Sequence, residues 1–302
     1  MKKTCIVIVG PTAVGKTELS IHLAKHFNTL IISADSRQCF RELNIGVAKP
    51  SELQLQTIKH YFIDSHSVKE GMNAALFEQY AMESVGEIFE TNDMAIIVGG
   101  TGLYVRSFCN GIDEVPEIDP GIRDRIIADF EWEGMEWLQQ EVEKHDPAYF
   151  SKGETKNPQR MMRALEVKLS TGRSILEFQT QRGKKREFNI IKIGLDLPKE
   201  QLHKNINSRV DAMMQQGFLE EVRSLEPFKK LNALQTVGYR ELFGCLAGDL
   251  SLDEAVEIIK INTRQYAKRQ MTWFKKDEEV RWCKVDAEEI IAVAVKSIPP
   301  QP

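Results

Sequence analysis

Apolar positions along the chain switch between compact runs and helical stripes. Residues 4–9 (TCIVIV) form a β-branched run of the kind found in a buried strand. Residues 18–27 place Leu19, Leu23 and Phe27 on one stripe, which predicts a helix. A second strand is expected at 30–33, a short one at 61–64, a helix over 73–89, and a strand at 94–98 that runs into Gly99-Gly100. Strands alternating with helices predict an α/β fold, a parallel sheet with helices on both faces.

Beyond Gly111 the period changes. Residues 118–174 have helical spacing and no convincing strand, and are punctuated by Asp119-Pro120, Asp146-Pro147 and Asn157-Pro158, each a turn or helix-start signal. Residues 188–197 read as a strand that rejoins the sheet. Helices follow over about 199–216, 218–225, 238–246 and 251–276, with a last strand at 280–285. The expected organisation is a core of residues 1–112 plus 188–302 and a helical insertion domain of 113–187. In such folds an insertion commonly carries substrate specificity, an expectation by analogy.

Composition narrows the classes. The 302 residues are 42% hydrophobic and 28% charged, which suits a globular chain. Net charge is -4, so any argument for nucleic acid has to be local. Five dispersed cysteines form no C-x-x-C pair, which argues against a disulfide framework or zinc site and for a reducing, cytoplasmic setting. The opening MKKTCIVIVG is too short for a signal peptide, and no apolar stretch is long enough for a membrane span.

Gly10-Pro11-Thr12-Ala13-Val14-Gly15-Lys16-Thr17 matches G-x-x-x-x-G-K-[ST] between an expected strand and an expected helix. A glycine-rich turn can wrap its amides around an anion, and a helix N-terminus adds positive potential. Lys16 supplies full charge, and the Thr17 hydroxyl can hold Mg2+. The fold expected is therefore P-loop NTPase-like. The loop specifies a polyphosphate and leaves ATP open. The strand at 94–98 ends in Gly99-Gly100-Thr101-Gly102, without the aspartate that usually orients Mg2+ in a nucleotide-hydrolysing enzyme. Asp35, after the second strand, is the carboxylate placed to share one crevice with the loop and Thr101. A turn residue in Ser33-Ala34-Asp35-Ser36 is the other reading of it.

GPTAVGKT (10–17), ADSRQ (34–38), GGTGLY (99–104), NPQRMMRALEV (157–167), TVGYRE (236–241) and TRQYAKRQMTWF (263–274) together resemble the tRNA dimethylallyltransferases, also called tRNA isopentenyltransferases. The motifs keep order and spacing from residue 4 to about residue 285. The resemblance implies transfer of a dimethylallyl group from dimethylallyl diphosphate to N6 of adenosine 37, beside the tRNA anticodon, with diphosphate leaving. It implies Asp35 as the base, with Thr101 and Lys16 catalytic beside it, and the diphosphate on residues 10–17 and Arg209. It implies tRNA contacts at Asp35, Ser36, Arg37, Gln38, Thr101, Gln159, Arg160, Met161, Met162 and Arg163, with Arg123 at the mouth of the site and Gln38 reading the adenine edge. Phe40 stands where the family commonly has Tyr, and Asn205 where Arg is frequent. No zinc-finger pattern follows the last motif, so the compact bacterial type is expected, acting as a monomer.

Local charge points the same way. From Lys156 to Lys192 the chain carries ten basic residues (Lys156, Arg160, Arg163, Lys168, Arg173, Arg182, Lys184, Lys185, Arg186, Lys192) against three acidic ones. Such a stripe suits an RNA backbone, and a solvated helix face is its bland alternative. In 263–274, Trp273 and Phe274 are expected in the core. Arg264, Lys268, Arg269 and Lys275 are possible tRNA contacts, while Tyr239 and Arg240 remain either RNA contacts or scaffold. The rival function is a P-loop small-molecule kinase using ATP, which would leave GGTGLY, the basic insertion and the C-terminal motifs unexplained. A non-enzymatic RNA-binding ATPase would lack its strand-end Asp.

Overall fold

A computed structural model describes residues 3–113, 115–116, 118–179 and 183–298. It divides into two compact units, residues 1–111 with 185–302, and residues 112–184.

The larger unit is built on β1 (Thr4–Val9), α1 (Lys16–His26), β2 (Ile31–Ser33), α2 (Glu52–Thr57), β3 (His60–Tyr61), α3 (Ala74–Thr91), β4 (Met94–Val98) and α4 (Gly102–Asn110). Among the described residues its sheet has six strands in the order β3-β2-β4-β1-β5-β6, where β5 is Asn189–Leu195 and β6 is Arg281–Cys283, and every neighbouring pair is parallel. β1 lies between β4 and β5, with Ile6 opposite both Ile96 and Ile191, and all its side chains are buried. Burial on both faces is what an uninterrupted apolar run specifies. Ile6, Ile8, Ile96 and Ile193 join one core with Leu19 and Leu23 of α1 and Ile290 of a C-terminal helix at Ala287–Ser297. Cys5 points the other way, beside Cys109 of α4, so helices cover both faces.

The short strand expected at 61–64 is displaced to His60–Tyr61. Phe62 and Asp64 take left-handed φ values of 63° and 53°, which end the extended run. The remaining helices of this unit are Lys199–Gln215, Phe218–Ser224, Tyr239–Ala247 and Leu252–Phe274, with 3-10 turns at Glu226–Phe228 and Asn232–Leu234.

In the smaller unit the helices are Pro120–His145, Pro147–Lys152, Pro158–Thr171 and Ile175–Phe178. Asp119, Asp146 and Asn157 cap the first three, each followed by proline in the first turn, and their side chains accept from Gly121, Tyr149 and Arg160 amides. Gly134, at φ 81° and ψ -161°, breaks the longest of them into two segments. Leu138, Val142, Met161 and Leu165 form this unit's core.

The boundary at 184 rather than 187 has a cause. The Arg186 guanidinium donates to the Phe108 and Ser107 carbonyls at 2.7 and 2.8 Å and pairs with Glu78 at 2.8 Å, which ties it to α3 and α4. Lys192, on β5, is 8% exposed and pairs with Asp277 and Glu279, both at 2.7 Å. Arg186 and Lys192 are thus structural cations and do not extend the basic stripe of 156–192, and Arg182 lies outside the described residues.

Candidate functional site

Three loops meet at the carboxyl ends of β1, β2 and β4. The first, residues 10–17, reverses direction through positive φ at Gly10 (147°), Ala13 (64°) and Gly15 (103°). Alternating handedness turns successive amides inward, the backbone nest that binds anions. Gly10 also approaches the neighbouring strand: a Cβ there would lie 2.9 Å from the Leu195 carbonyl. Gly15 caps α1 with no side-chain cap, so the first-turn amides of an 11-residue helix face the loop without a side-chain partner. Lys16 folds back and donates to the Gly10 and Pro11 carbonyls at 3.0 and 2.8 Å. Burial, and secondarily Arg209, pull its pKa down to about 7 against the opposing pull of Asp35.

The helix Lys199–Gln215 braces this loop. Arg209 donates to the Thr12 hydroxyl at 3.2 Å, and one turn earlier Asn205 donates to the Ala13 carbonyl at 3.2 Å. Asn205, at the position where the family frequently has Arg, thus supports the loop's backbone.

The second loop carries Asp35. Its Oδ1 accepts the Arg37 and Gln38 amides at 2.9 and 3.4 Å, an Asx turn. Among the described residues no protein donor meets Oδ2. The two sequence readings of Asp35 are therefore compatible, one oxygen for each. The amide of Gln38 is occupied: Oε1 accepts from Ser33 at 3.1 Å, and Nε2 donates to the Val47 and Ala48 carbonyls at 3.2 and 3.0 Å. Gln38 thus holds the 47–48 backbone while lining the first cavity described below.

The third loop explains GGTG. A Cβ on Gly99 would lie 2.1 Å from the Ala34 carbonyl, on Gly100 2.2 Å from Gln270 Nε2, and on Gly102 2.3 Å from the Trp273 ring. These glycines admit close neighbours. Thr101 accepts the Ser36 amide at 3.0 Å through Oγ1. Tyr266 hydrogen-bonds Thr101, and burial, with Asp35 beside it, pushes the phenol up to about 12.

Two cavities meet over these loops. One, about 350 Å3, is lined by Thr12, Lys16, Thr17, Gln38, Ile63, Gly100 and Gln270 among others. The second, about 230 Å3, is lined by Ser36, Arg37, Met213, Phe218, Val237 and Thr263 among others. Thr12, Asp35, Val47, Ala48, Arg209 and Tyr266 line both. Thr17 and Asp35 border the first, and they offer hard oxygens of the kind Mg2+ takes beside phosphate. Among the described residues no cluster of three His, Cys, Asp or Glu could hold a metal by itself.

The wall formed by residues 44–48 was not legible beforehand. Glu221 accepts the Asn44, Ile45 and Gly46 amides at 3.2, 2.7 and 3.2 Å and the Tyr239 hydroxyl at 2.5 Å. Tyr239 is fully buried and is scaffold, whereas Arg240 is exposed. Tyr239→Phe strands part of a loaded carboxylate and should cost about 1–3 kcal/mol of stability, read as a lower urea midpoint at unchanged slope.

In the helical unit Gln159 and Arg160 are exposed. Met161 and Met162, 0% and 7% exposed, belong to its core, so their side chains are spent on packing. Arg163 and Arg123 share buried Glu166 at 2.6 and 3.4 Å. Arg173 pairs with Glu177 at 3.1 Å. In the helix Leu252–Phe274, Phe274 is core, while Trp273 is half-buried against Gly102. Ile259, Thr263, Tyr266 and Gln270 line the cavities from one stripe of that helix. Arg264 is bound to Asn207 at 2.7 Å.

Comparison with known proteins places this arrangement. The sequence pattern of the IPP transferase family matches residues 38–277. A curated tRNA dimethylallyltransferase of Flavobacterium johnsoniae is 45% identical over 98% of this chain and 98% of its own. The tRNA dimethylallyltransferase 1 of Bacteroides thetaiotaomicron is 46% identical over 92% and 91%. Among solved structures, the tRNA isopentenylpyrophosphate transferase of Bacillus halodurans superposes with a TM-score of 0.71 at 33% identity, covering 98% of this chain and 96% of that one. A eukaryotic dimethylallyltransferase acting on tRNA superposes at 0.82 and 25% identity, covering 99% and 80%. A doubly covered parallel sheet, an anion-binding type of loop and 45–46% identity to these enzymes over nearly the whole chain converge: the chain belongs to the IPP transferase family, the tRNA dimethylallyltransferases.

Proposed function

We propose that this protein transfers the dimethylallyl group of dimethylallyl diphosphate to N6 of adenosine 37 in tRNA. The observation that carries the proposal is the pair of cavities meeting at Asp35, one of them holding the phosphate loop. An allyl donor seated on residues 10–17 would point its C1 toward that junction, and an adenine entering the second cavity would bring N6 to it from the other side. The adenine must leave its stack to arrive there. The N6–C1 bond forms as the allylic C–O bond breaks, Asp35 takes the N6 proton, and diphosphate departs. Lys16, Arg209 and the loop amides stabilise the growing charge, usually the largest catalytic contribution. Mg2+, held by the Thr17 hydroxyl and the diphosphate oxygens, would supply further charge neutralisation.

The helical unit would hold the anticodon stem-loop through Arg160, Gln159, Lys156 and Arg173. The same reading has one copy of the chain act alone, as a monomer. A tRNA substrate supports a cytoplasmic setting, and no described helix is long and apolar enough to cross a membrane.

The test mixes purified protein with unmodified tRNA and either labelled dimethylallyl diphosphate or labelled ATP. Allyl label in tRNA is the expected result, and ATP-dependent phosphorylation of a small molecule would select the kinase instead. In the same preparation tRNA affinity should fall with salt at a log–log slope of roughly -2 to -4, for three to five phosphate contacts. A flat salt dependence would remove the backbone contacts.

A further inference from the structure

Gln270 is 6% exposed near the C-terminal end of the helix Leu252–Phe274, and its carboxamide is used at both ends. Oε1 accepts the Thr12 amide at 2.8 Å, and Nε2 donates to the Gly100 carbonyl at 2.9 Å. The first partner belongs to the phosphate loop. The second is one residue before Thr101, whose Oγ1 accepts the Ser36 amide and whose own amide donates to the Ala34 carbonyl at 3.3 Å. Asp35 lies between those two residues. Hydrogen bonds and the short stretches of backbone between them thus link the loop that would carry the leaving group to the residue whose carboxylate would take the proton. Gly100 is matched to it, since any side chain there would collide with the carboxamide.

We propose that Gln270 is a positioning residue that fixes the separation between the phosphate loop and Asp35; this rests on the function proposed above. Transfer needs donor carbon, amine and base aligned at once, and small misplacements of a base are costly. A neutral carboxamide suits the task because one planar group offers an acceptor and a donor side by side. An ionised carboxylate there would accept from Thr12 and confront the Gly100 carbonyl with a second lone pair. A protonated carboxyl would restore both bonds, and burial favours that neutral form.

Gln270→Glu is therefore a pH-gated substitution, and Gln270→Met a permanent loss. Single-turnover transfer rates at saturating donor and tRNA are measured from pH 6 to 8.5 for both variants and the parent, with donor KM and thermal midpoints alongside. Gln270→Met should lose roughly tenfold or more in rate at every pH, with donor KM changed far less. The rate of Gln270→Glu relative to the parent should rise at least about fivefold from pH 8 to pH 6 as its carboxyl takes up a proton. At saturating donor Lys16 stays charged, and dividing by the parent removes the pH dependence that the two enzymes share. A ratio flat with pH and well below one overturns the proposal, as does a Gln270→Met rate within twofold of the parent or an effect confined to donor KM. If Gln270→Met does not fold, the slope of the Gln270→Glu ratio decides alone. A parent enzyme that moves no allyl group to tRNA rejects the functional reading and this proposal with it.

Discussion

Replacing Asp35 with asparagine should reduce kcat by roughly 10²- to 10⁴-fold while leaving dimethylallyl diphosphate bound at close to parental affinity. The exocyclic amine of adenine delocalises its lone pair into the ring, so it attacks well only as its proton leaves. Asp35 is held for that purpose by an unequal use of its oxygens: Oδ1 accepts the Arg37 and Gln38 amides, and Oδ2 is left for a substrate proton. Asparagine can keep the Oδ1 bonds, so the loop should keep its shape while the proton acceptor is lost. Donor affinity should survive because the loop amides, Lys16 and Arg209 supply the charge that a diphosphate meets, and Asp35 is not among them. Transfer rates under single turnover, together with donor titrations by calorimetry, separate the two quantities. Turnover within a few-fold of the parent would remove Asp35 from the chemistry. A donor affinity that collapses with the rate would mean that the substitution disturbed the loop junction itself.

The parts of this site that could be read from the sequence are those in which backbone conformation and chemistry are written in the same few residues. The phosphate loop is one: Gly10 and Gly15 supply the positive φ values, Lys16 the charge, and the apolar run before them fixes the strand. The helix starts in 112–184 are another, because an Asp or Asn followed by Pro caps and begins a helix with little help from elsewhere. The GGTG segment could be located but not explained. Its glycines answer to Ala34, Gln270 and Trp273, two of them over a hundred and sixty residues away in sequence. No local pattern contains that information.

The helix Leu252–Phe274 shows the same limit more sharply. Its basic residues attract notice because charge is conspicuous, whereas the residues that line the cavities, Ile259, Thr263, Tyr266 and Gln270, fall at intervals of four, three and four among ordinary helix formers. The stripe is visible only once the direction of the site is known. Glu221 and Asn205 escape for a related reason. Each satisfies backbone groups far away in sequence, a role that any glutamate or asparagine on a helix could fill and that only the fold assigns. Arg186 and Lys192 err in the opposite direction, because composition counts a buried, ion-paired cation and a surface one alike.

Donor binding should take up a proton above neutral pH, and Lys16 should be the group that receives it. In the free protein burial is the first cause that lowers its pKa to about 7 and Arg209 the second, with Asp35 opposing both. A diphosphate on the loop brings opposite charge against the ammonium and raises that pKa. Below pH 7 Lys16 is already charged, so donor affinity there should be insensitive to its titration. Above pH 7 the free form is increasingly neutral while the bound form stays charged, so the donor Kd should rise with pH, by up to about tenfold per unit. The donor does not confuse the reading, since a terminal phosphate with a second pKa near about 6 is fully ionised across that window. Calorimetric titrations at pH 8.5 in two buffers of different ionisation enthalpy count the protons: uptake should approach one for the parent and vanish for Lys16→Met. That variant should also lose roughly 10²- to 10³-fold in kcat/KM, as expected for removing one preorganised donor from a developing anion. Arg209→Ala takes away the second cause of the depression, so the pH at which affinity begins to fall should move upward. A Kd that climbs with pH identically in the parent and in Lys16→Met would show that some other group binds the proton, and would take the ammonium out of the donor's recognition.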